Sequence, residues 1–479
     1  MKGFVVAGTA SGVGKTTITA ALLAALRARG LTVQPFKCGP DYIDPAHHAA
    51  IAGRPSYNLD TWMMSHETNR AIFADAMRQA DVALVEGVMG LFDGASGSSN
   101  EGSTAEIAKL LGLQVVLVVE AANAARSVAA VVKGFRDFDP QLRILGVILN
   151  GVAAPAHLRL LREAIAQVDV PVLGAFPRLP DVALAERHLG LVTAGEKTWS
   201  PEQVKALAEA AEKNFDLDFL LDSASFDLQA ASFEPREPER SVASGTSTAI
   251  GLASATSRVM EGDYVPIRIG VARDQAFSFY YQSSLDALRA AAAELVEFSP
   301  LSDRSLPAML DGLYLGGGYP EVFADELAQN QSFLHSLREF VASGHPIYAE
   351  CGGLMYLASE LVTLDARRHR MASVLPLSIE MLTRLEGFGY TEVELQNDCL
   401  IGKRGARLRG HSFHYSRVTH SGKLERLYRT RQILTGNQKN EGYSLDNVLA
   451  SYIHLSFAAN PEAAAHFVRS CHEAKAVAQ

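Results

Sequence analysis

Ten residues near the start, Gly8-Thr9-Ala10-Ser11-Gly12-Val13-Gly14-Lys15-Thr16-Thr17, constrain the fold of this chain more than any other stretch. They follow the apolar run at residues 4–7 directly and lead into the Ala- and Leu-rich segment 16–29. A strand, a glycine loop and a helix in that order cradle phosphate, because loop N–H groups and the helix N-terminus point at one place. Gly12 and Gly14 let the backbone curl. Lys15 reaches the β- and γ-phosphates, and the hydroxyl of Thr16, next to Thr17, is placed for Mg²⁺. Five residues rather than four separate Gly8 from Gly14, a departure from the common spacing. The segment reads as a nucleoside triphosphate site.

The strand ahead of the loop begins a pattern. Residues 4–7, 82–86, 115–119 and 144–149 are short apolar runs suited to strands buried on both faces. Helical stretches at 16–29 and 104–111 alternate with them, with Gly30 and Gly112 as stop signals. Ser200-Pro201-Glu202 opens a further helix, a capping Ser followed by Pro in the first turn. This alternation predicts a parallel, doubly wound α/β sheet. From about residue 222 to 262 it stops: 233–240 is charged and Pro-rich, and 241–257 is small and polar. A second alternation follows, with strands at 267–271, 312–315 and 347–349 and helices at 284–294 and 331–342. No fixed-period repeat links the halves. The prediction is two different α/β domains, 1–221 and 264–479, joined by a flexible linker at 222–263.

Composition excludes several classes. The chain carries 44 Lys and Arg against 53 Asp and Glu, a formal charge of −9, which disfavours nucleic acid as a partner. The longest apolar runs, such as 115–119, are strand-sized and far short of a membrane span. The N-terminus enters a strand at once without a signal-peptide layout, so a cytoplasmic protein is expected. Cys38, Cys351, Cys399 and Cys471 are too few and too scattered for a disulfide scaffold.

More chemistry gathers where strands of the first half end. Lys37-Cys38-Gly39-Pro40-Asp41-Tyr42-Ile43-Asp44-Pro45 puts a Lys and two Asp in one short loop after the second strand. Val85-Glu86-Gly87 ends a further strand with a carboxylate, and Asp93 follows a Gly-rich turn. Open α/β sheets bind ligands at the carboxyl ends of their strands, so these side chains converge on the triphosphate. Several acids near a triphosphate suggest Mg²⁺ ligation and orientation of an acceptor. Asn150 ends the run Val-Ile-Leu-Asn and either reads a nucleobase or makes a turn.

The second half holds a reactive cysteine candidate. Pro346-Ile347-Tyr348-Ala349-Glu350-Cys351-Gly352-Gly353-Leu354 reads as strand, sharp turn and helix with Cys351 at the turn. That is the layout of a nucleophile elbow, where the helix N-terminus lowers the thiol pKa. The N–H of Gly352 is placed as an oxyanion donor, and the loop Gly316-Gly317-Gly318-Tyr319-Pro320-Glu321 offers a second through Gly318. A base is needed: His454 follows the strand-like run Ser451-Tyr452-Ile453, with His411 and His414 as competitors. Cys399 and Cys471 lack such context and read as structural. A cysteine hydrolase joined to a nucleotide site suggests one linked purpose. Glutamine hydrolysis releases ammonia, and ATP converts a carboxylate into an electrophile able to accept it.

Taken together, residues 8–17, 37–45, Glu186-Arg187-His188-Leu189-Gly190-Leu191, 316–321, 349–354 and Arg409-Gly410-His411-Ser412-Phe413-His414-Tyr415-Ser416 resemble the cobyrinic acid a,c-diamide synthase family, hydrogenobyrinic acid a,c-diamide synthases included. The resemblance covers nearly the whole chain apart from 222–262. It implies an N-terminal domain similar to dethiobiotin synthetase and a C-terminal, flavodoxin-like domain of the triad-type glutamine amidotransferases. It also implies ATP and Mg²⁺ as cofactors, L-glutamine and a corrin polycarboxylate as substrates, and, by likeness to dethiobiotin synthetase, a homodimer. By position, Gly12, Gly14, Lys15, Thr16, Thr17, Lys37 and Asn150 would hold the nucleotide, and Thr16 and Glu86, with Asp44, the Mg²⁺. Asp41, Tyr42, Ile43 and Asp93 match the acceptor-orienting residues, with Cys351 as nucleophile and His454 as base. The pattern departs at Ser456, two residues after His454, where amidotransferase triads carry Glu and many members of this family His.

The 41–44 loop and the 187–190 run favour the a,c enzyme over its sisters, cobyric acid synthase and nickel-sirohydrochlorin a,c-diamide synthase. A nucleotide switch with a degenerate amidotransferase module is the reading from another class. An intact Cys351 elbow opposes it.

Overall fold

The computed structural model describes residues 1–152, 154–177, 199–228 and 266–478. The chain forms two compact units, Met1–Ala249 and Ile250–Gln479.

The first unit alternates strand and helix from its first residues: β1 (Lys2–Gly8), α1 (Lys15–Ala28), β2 (Val33–Cys38), α2 (Ile43–Ala52), β3 (Tyr57–Leu59), α3 (His66–Met77) and β4 (Val82–Glu86). It continues through α4 (Thr104–Leu111), β5 (Gln114–Glu120), α5 (Ser127–Phe138), β6 (Ile144–Asn150), α6 (Pro155–Ile165) and β7 (Val172–Phe176), then α7 (Pro201–Asn214) and α8 (Leu217–Ser223). The seven strands pair in parallel in the order β3-β2-β4-β1-β5-β6-β7, as the doubly wound reading expects. β1 therefore lies at the centre, and the loop after it is surrounded by neighbouring strand ends. Ile18, Leu22 and Leu26 of α1 pack with Leu207 and Ala211 of α7 over Leu84, Val116 and Ile148 of the sheet. The helix signals work as read. Ser200 and Gln203 close a capping box on α7, and Gly112 ends α4 at φ 68°.

The expected boundary at 221/222 falls inside α8, and the first unit runs further. Gly3 N–H donates to Ala224 O at 2.8 Å, and Phe226 N–H to Met1 O at 3.0 Å. These bonds fasten the stretch to the start of β1, and the buried Phe226 ring packs edge-on to Phe73 of α3 at 5.7 Å. Residues 229–263 of the expected linker, and the run Glu186–Leu191, lie outside the described residues.

The second unit opens with β8 (Ile267–Ala272), α9 (Gln282–Ala290), β9 (Ala293–Phe298), β10 (Gly312–Leu315), α10 (Ala324–Gln329), α11 (Gln331–Ala342), β11 (Ile347–Glu350) and α12 (Gly352–Leu357). Nine strands follow: β12 (Ala358–Val362), β13 (Arg368–Arg370), β14 (Leu375–Met381), β15 (Gly387–Leu395), β16 (Arg407–His414), β17 (Ser416–Ser421), β18 (Glu425–Gln432), β19 (Gln438–Leu445) and β20 (Val448–Ser451). β21 (His454–Leu455) and α13 (Pro461–Ala478) complete it.

Ten strands make a mixed sheet in the order β21-β16-β15-β18-β19-β20-β11-β10-β8-β9. β20, β11, β10, β8 and β9 are parallel, and the sheet continues antiparallel from β20. One difference from the sequence reading is local. The helix expected at 284–294 ends at Ala290, Ala292 turns the chain at φ 71°, and β9 begins at Ala293. Ala293 and Phe298 are buried at its ends and Glu294 and Glu297 exposed, so this stretch satisfies an edge strand beside β8 rather than a longer helix.

Candidate functional site

In the first unit, residues 9–14 span the gap from β1 to α1. Gly14 sits at φ 94° immediately ahead of the helix, a conformation available at little cost only to glycine. A Cβ there would lie 2.4 Å from Asn150 Nδ2. Asn150 ends β6 and donates to Val13 O at 3.0 Å, so the structure places it as a brace under the loop. Lys15 Nζ donates to Ala10 O at 3.0 Å and to Met89 O at 2.6 Å. Met89 is held at φ 47°, a strained setting that costs about 1–3 kcal/mol and turns its carbonyl toward the ammonium. Burial, together with the nearby Lys37 ammonium, lowers the Lys15 pKa. Thr17 follows half-buried in α1.

The parallel register sets Lys37 of β2 beside Glu86 of β4. Lys37 Nζ donates to Glu86 Oε1 at 2.9 Å and to Asp44, and lies 3.8 Å from Asp41. Thr16 Oγ1 lies 2.8 Å from Glu86 Oε1 and 3.4 Å from Asp44 Oδ2. Two helix residues, Thr16 and Asp44, and two strand residues, Lys37 and Glu86, thus meet at a point. Burial alone would lift the Glu86 carboxyl, but Lys37 and His48 hold it well below the usual range. Burial, Asp41 and Glu86 lift Asp44 well above its own. Burial opposes the Lys37 charge, yet these acids raise its pKa.

Asp41 Oδ1 accepts from the N–H groups of Ile43 at 2.8 Å and Asp44 at 3.1 Å, fixing the start of α2 just after Tyr42. Asp93 Oδ2 accepts from Gly90 N–H at 2.8 Å and is exposed at the loop rim. One residue went unread in the sequence: His48 of α2, whose Nε2 lies 2.6 Å from Glu86 Oε2. Its signal is a histidine pair, His47-His48, buried in a helix that begins at the acceptor loop.

The donor set suits Mg²⁺. A hydroxyl and two carboxylates are hard oxygen ligands, and a Lys ammonium already bridges the two acids as a cation would. Two acids rather than an all-protein cage match an ion shared with phosphate oxygens.

In the second unit, Cys351 sits between β11 and α12 at φ 46° and ψ −97°, with its N–H donating to Ser451 O at 2.7 Å. A non-glycine residue held this way is the elbow geometry, and it places the thiol at the carboxyl end of the interior strand β11. Gly318 and Gly352 converge beside it: a Cβ on Gly352 would come within 2.9 Å of Gly318 N. A Cβ on Gly318 would clash with Ala276 O, so position 318 has no room for a side chain. The Gly318 N–H thus lies close to Gly352, the residue that follows the thiol.

Of the three histidines, His454 is in hydrogen-bonding contact with the Cys351 thiol. Burial would lower its pKa, but Cys351 and Glu350 raise it to about 9. His411 stacks on His454 at 5.0 Å and bonds Tyr281 OH at 3.0 Å through Nδ1. Burial and the His454 charge hold it neutral. His414 stacks on Tyr452 at 3.9 Å and is pushed by burial to about 3. The Cys38 thiol is pushed up to about 12 by burial, and burial also raises Cys399 and Cys471. Ser456 Oγ accepts from Ala459 N–H at 3.2 Å and closes the turn before α13. The acid facing His454 is Glu350, which the sequence reading left unassigned. Its signal is a carboxylate ending a four-residue strand that is otherwise buried and uncharged.

Residues 4–192 match the CobQ/CobB/MinD/ParA nucleotide binding domain, and residues 268–462 the CobB/CobQ-like glutamine amidotransferase domain. The chain is 44% identical over 471 residues to the cobyrinate a,c-diamide synthase of Syntrophotalea carbinolica, which covers 98% of each protein. It is 41% identical over 470 residues to that of Leptospira interrogans, covering 98% of each, and 41% over 469 residues to that of Salmonella typhimurium, covering 97% of each. With both domains matched in order and these identities running end to end, the chain belongs to the cobyrinate a,c-diamide synthase family.

Proposed function

We propose that the chain uses ATP and glutamine to amidate the a and c acetate side chains of cobyrinic or hydrogenobyrinic acid, in cobalamin biosynthesis. One observation carries the reading: a phosphate loop flanked by Thr16, Lys37, Asp44 and Glu86 shares one chain with a Cys351–His454 elbow.

In the second unit, His454 takes the thiol proton and the Cys351 thiolate attacks the glutamine amide carbon. The oxyanion sits against the N–H groups of Gly318 and Gly352. The amide nitrogen leaves as ammonia with the proton returned by His454, and water hydrolyses the thioester to glutamate. In the first unit, an acetate carboxylate displaces ADP from the γ-phosphorus, giving an acyl phosphate. Ammonia attacks the acyl carbon, phosphate leaves and an amide remains.

Lys15 and Lys37 face the phosphate charge, while Asp41, Tyr42, Ile43 and Asp93 orient the acceptor. Thr16, Asp44 and Glu86 would hold Mg²⁺, which offsets phosphate charge when bound. A cytoplasmic homodimer is the setting we assign. No described helix is long and apolar enough to cross a membrane.

Incubation with a panel of tetrapyrrole acids, cobalt-bearing and cobalt-free, with ATP, Mg²⁺ and glutamine, tests the substrate class by mass spectrometry. Two successive losses of about one mass unit, each an OH replaced by NH₂, are expected on cobyrinic or hydrogenobyrinic acid. Amidation confined to a sirohydrochlorin, or to a corrin already amidated at a and c, would transfer the chain to a sister amidoligase.

A further inference from the structure

Glu350 is the residue before the elbow cysteine and is 1% exposed. A carboxylate so placed requires partners, and four groups converge on it. Oε1 accepts from Tyr348 OH at 2.7 Å and from Leu455 N–H at 3.0 Å. Oε2 accepts from Tyr314 OH at 3.1 Å and lies 3.5 Å from His454 Nδ1. Three hydrogen bonds from three strands fix this carboxylate in orientation, and the fourth direction is the catalytic imidazole.

We propose that Glu350 is the positioning acid of the glutaminase, supplied from the nucleophile's own strand in place of an acid at position 456. This rests on reading the second unit as a glutaminase. When His454 accepts the thiol proton on one ring nitrogen, its other N–H needs an acceptor to hold the ring and offset the new charge. Glu350 Oε2 stands 3.5 Å from Nδ1, whereas the Ser456 hydroxyl closes the turn before α13. The groups facing His454 are Cys351 at the elbow, Glu350 of β11, and His411 and His414 of β16, the two histidines being held neutral by burial. Among these, Glu350 brings the carboxylate. The antiparallel register His411↔His454 and the stacked His411 ring keep the imidazole in line with it.

Glutamine hydrolysis by the full-length chain across the alkaline range is the test. In the wild type, kcat/KM is expected to fall as pH rises through about 9, where the imidazolium loses the proton that departing ammonia needs. Glu350→Gln removes a charge that raises the His454 pKa, so the alkaline limb moves to lower pH, by about one unit. In the same variant kcat falls about a hundredfold while KM for glutamine is unchanged.

A merely structural role would scale the whole profile down and leave the limb where it was; that result overturns the assignment. A wild type with no glutamine hydrolysis removes the glutaminase reading and the assignment with it. Tyr314→Phe covers the case of an unfolded Glu350→Gln. It keeps the carboxylate but frees Oε2 of its phenol, and an approximately fivefold loss of kcat with no downward shift of the limb is expected. Unchanged kcat in that variant overturns the proposal.

Discussion

Cys351→Ala is expected to abolish glutamine-dependent amidation, by about a thousandfold or more, while free ammonia still supports it. The substitution removes only the sulfur. The Cβ, the turn at φ 46° and the N–H bond to Ser451 O all remain available to alanine, so the unit keeps its fold. No other thiol can take over, because burial lifts the thiol pKa values of Cys38, Cys399 and Cys471, and none of the three sits at a glycine-flanked elbow. The nucleotide-facing residues all belong to the first unit and are untouched. Synthesis measured with glutamine and then with ammonium salt separates the two chemistries. Equal loss with both donors would sink the two-site reading.

Glu86→Gln is expected to have the opposite signature. Amidation falls with either nitrogen donor, by about a hundredfold or more, and glutamine hydrolysis is largely retained. Glu86 is wholly buried, and its two oxygens contact Lys37, Thr16 and His48. Gln keeps the shape but loses the charge, leaving the buried Lys37 ammonium to Asp44 and an Mg²⁺ ion with one anionic ligand fewer. Breaking such a buried pair costs about 3 kcal/mol, so the thermal midpoint of the first unit falls as well. Unchanged synthesis would remove Glu86 from the nucleotide site.

Both candidate sites stand out in the sequence wherever their residues are contiguous. The phosphate loop, the Lys37–Pro45 loop and the Cys351 elbow each occupy about ten consecutive residues, and glycine and charge mark them without knowledge of the fold. Glu86 was legible because a carboxylate closes the buried run Val-Ala-Leu-Val.

Contacts made by distant segments were not. His48 reaches Glu86 because α2 packs on β2, the strand paired with β4. Glu350 obtains its role from β10, β11 and β21 together, with Leu455 and His454 more than a hundred residues away. Position 456 drew attention by its spacing, yet Ser456 caps the turn before α13 and Glu350 meets the ring. The antiparallel extension formed by β16, β15, β18 and β19 also escaped, since these strands are rich in polar and charged residues and only part of each is buried. The attachment of residues 224–226 was not legible either, since it rests on backbone bonds to Met1 and Gly3 and on one ring, Phe226, after a polar stretch.

The most direct test of the central claim is nitrogen transfer itself. Cobyrinic or hydrogenobyrinic acid is incubated with the chain, ATP, Mg²⁺ and glutamine whose amide carries heavy nitrogen, and the product is weighed by mass spectrometry. Two labelled nitrogens per product are expected, with one ATP consumed for each and none incorporated without ATP. A product lacking the label, or label incorporated without ATP, would contradict it.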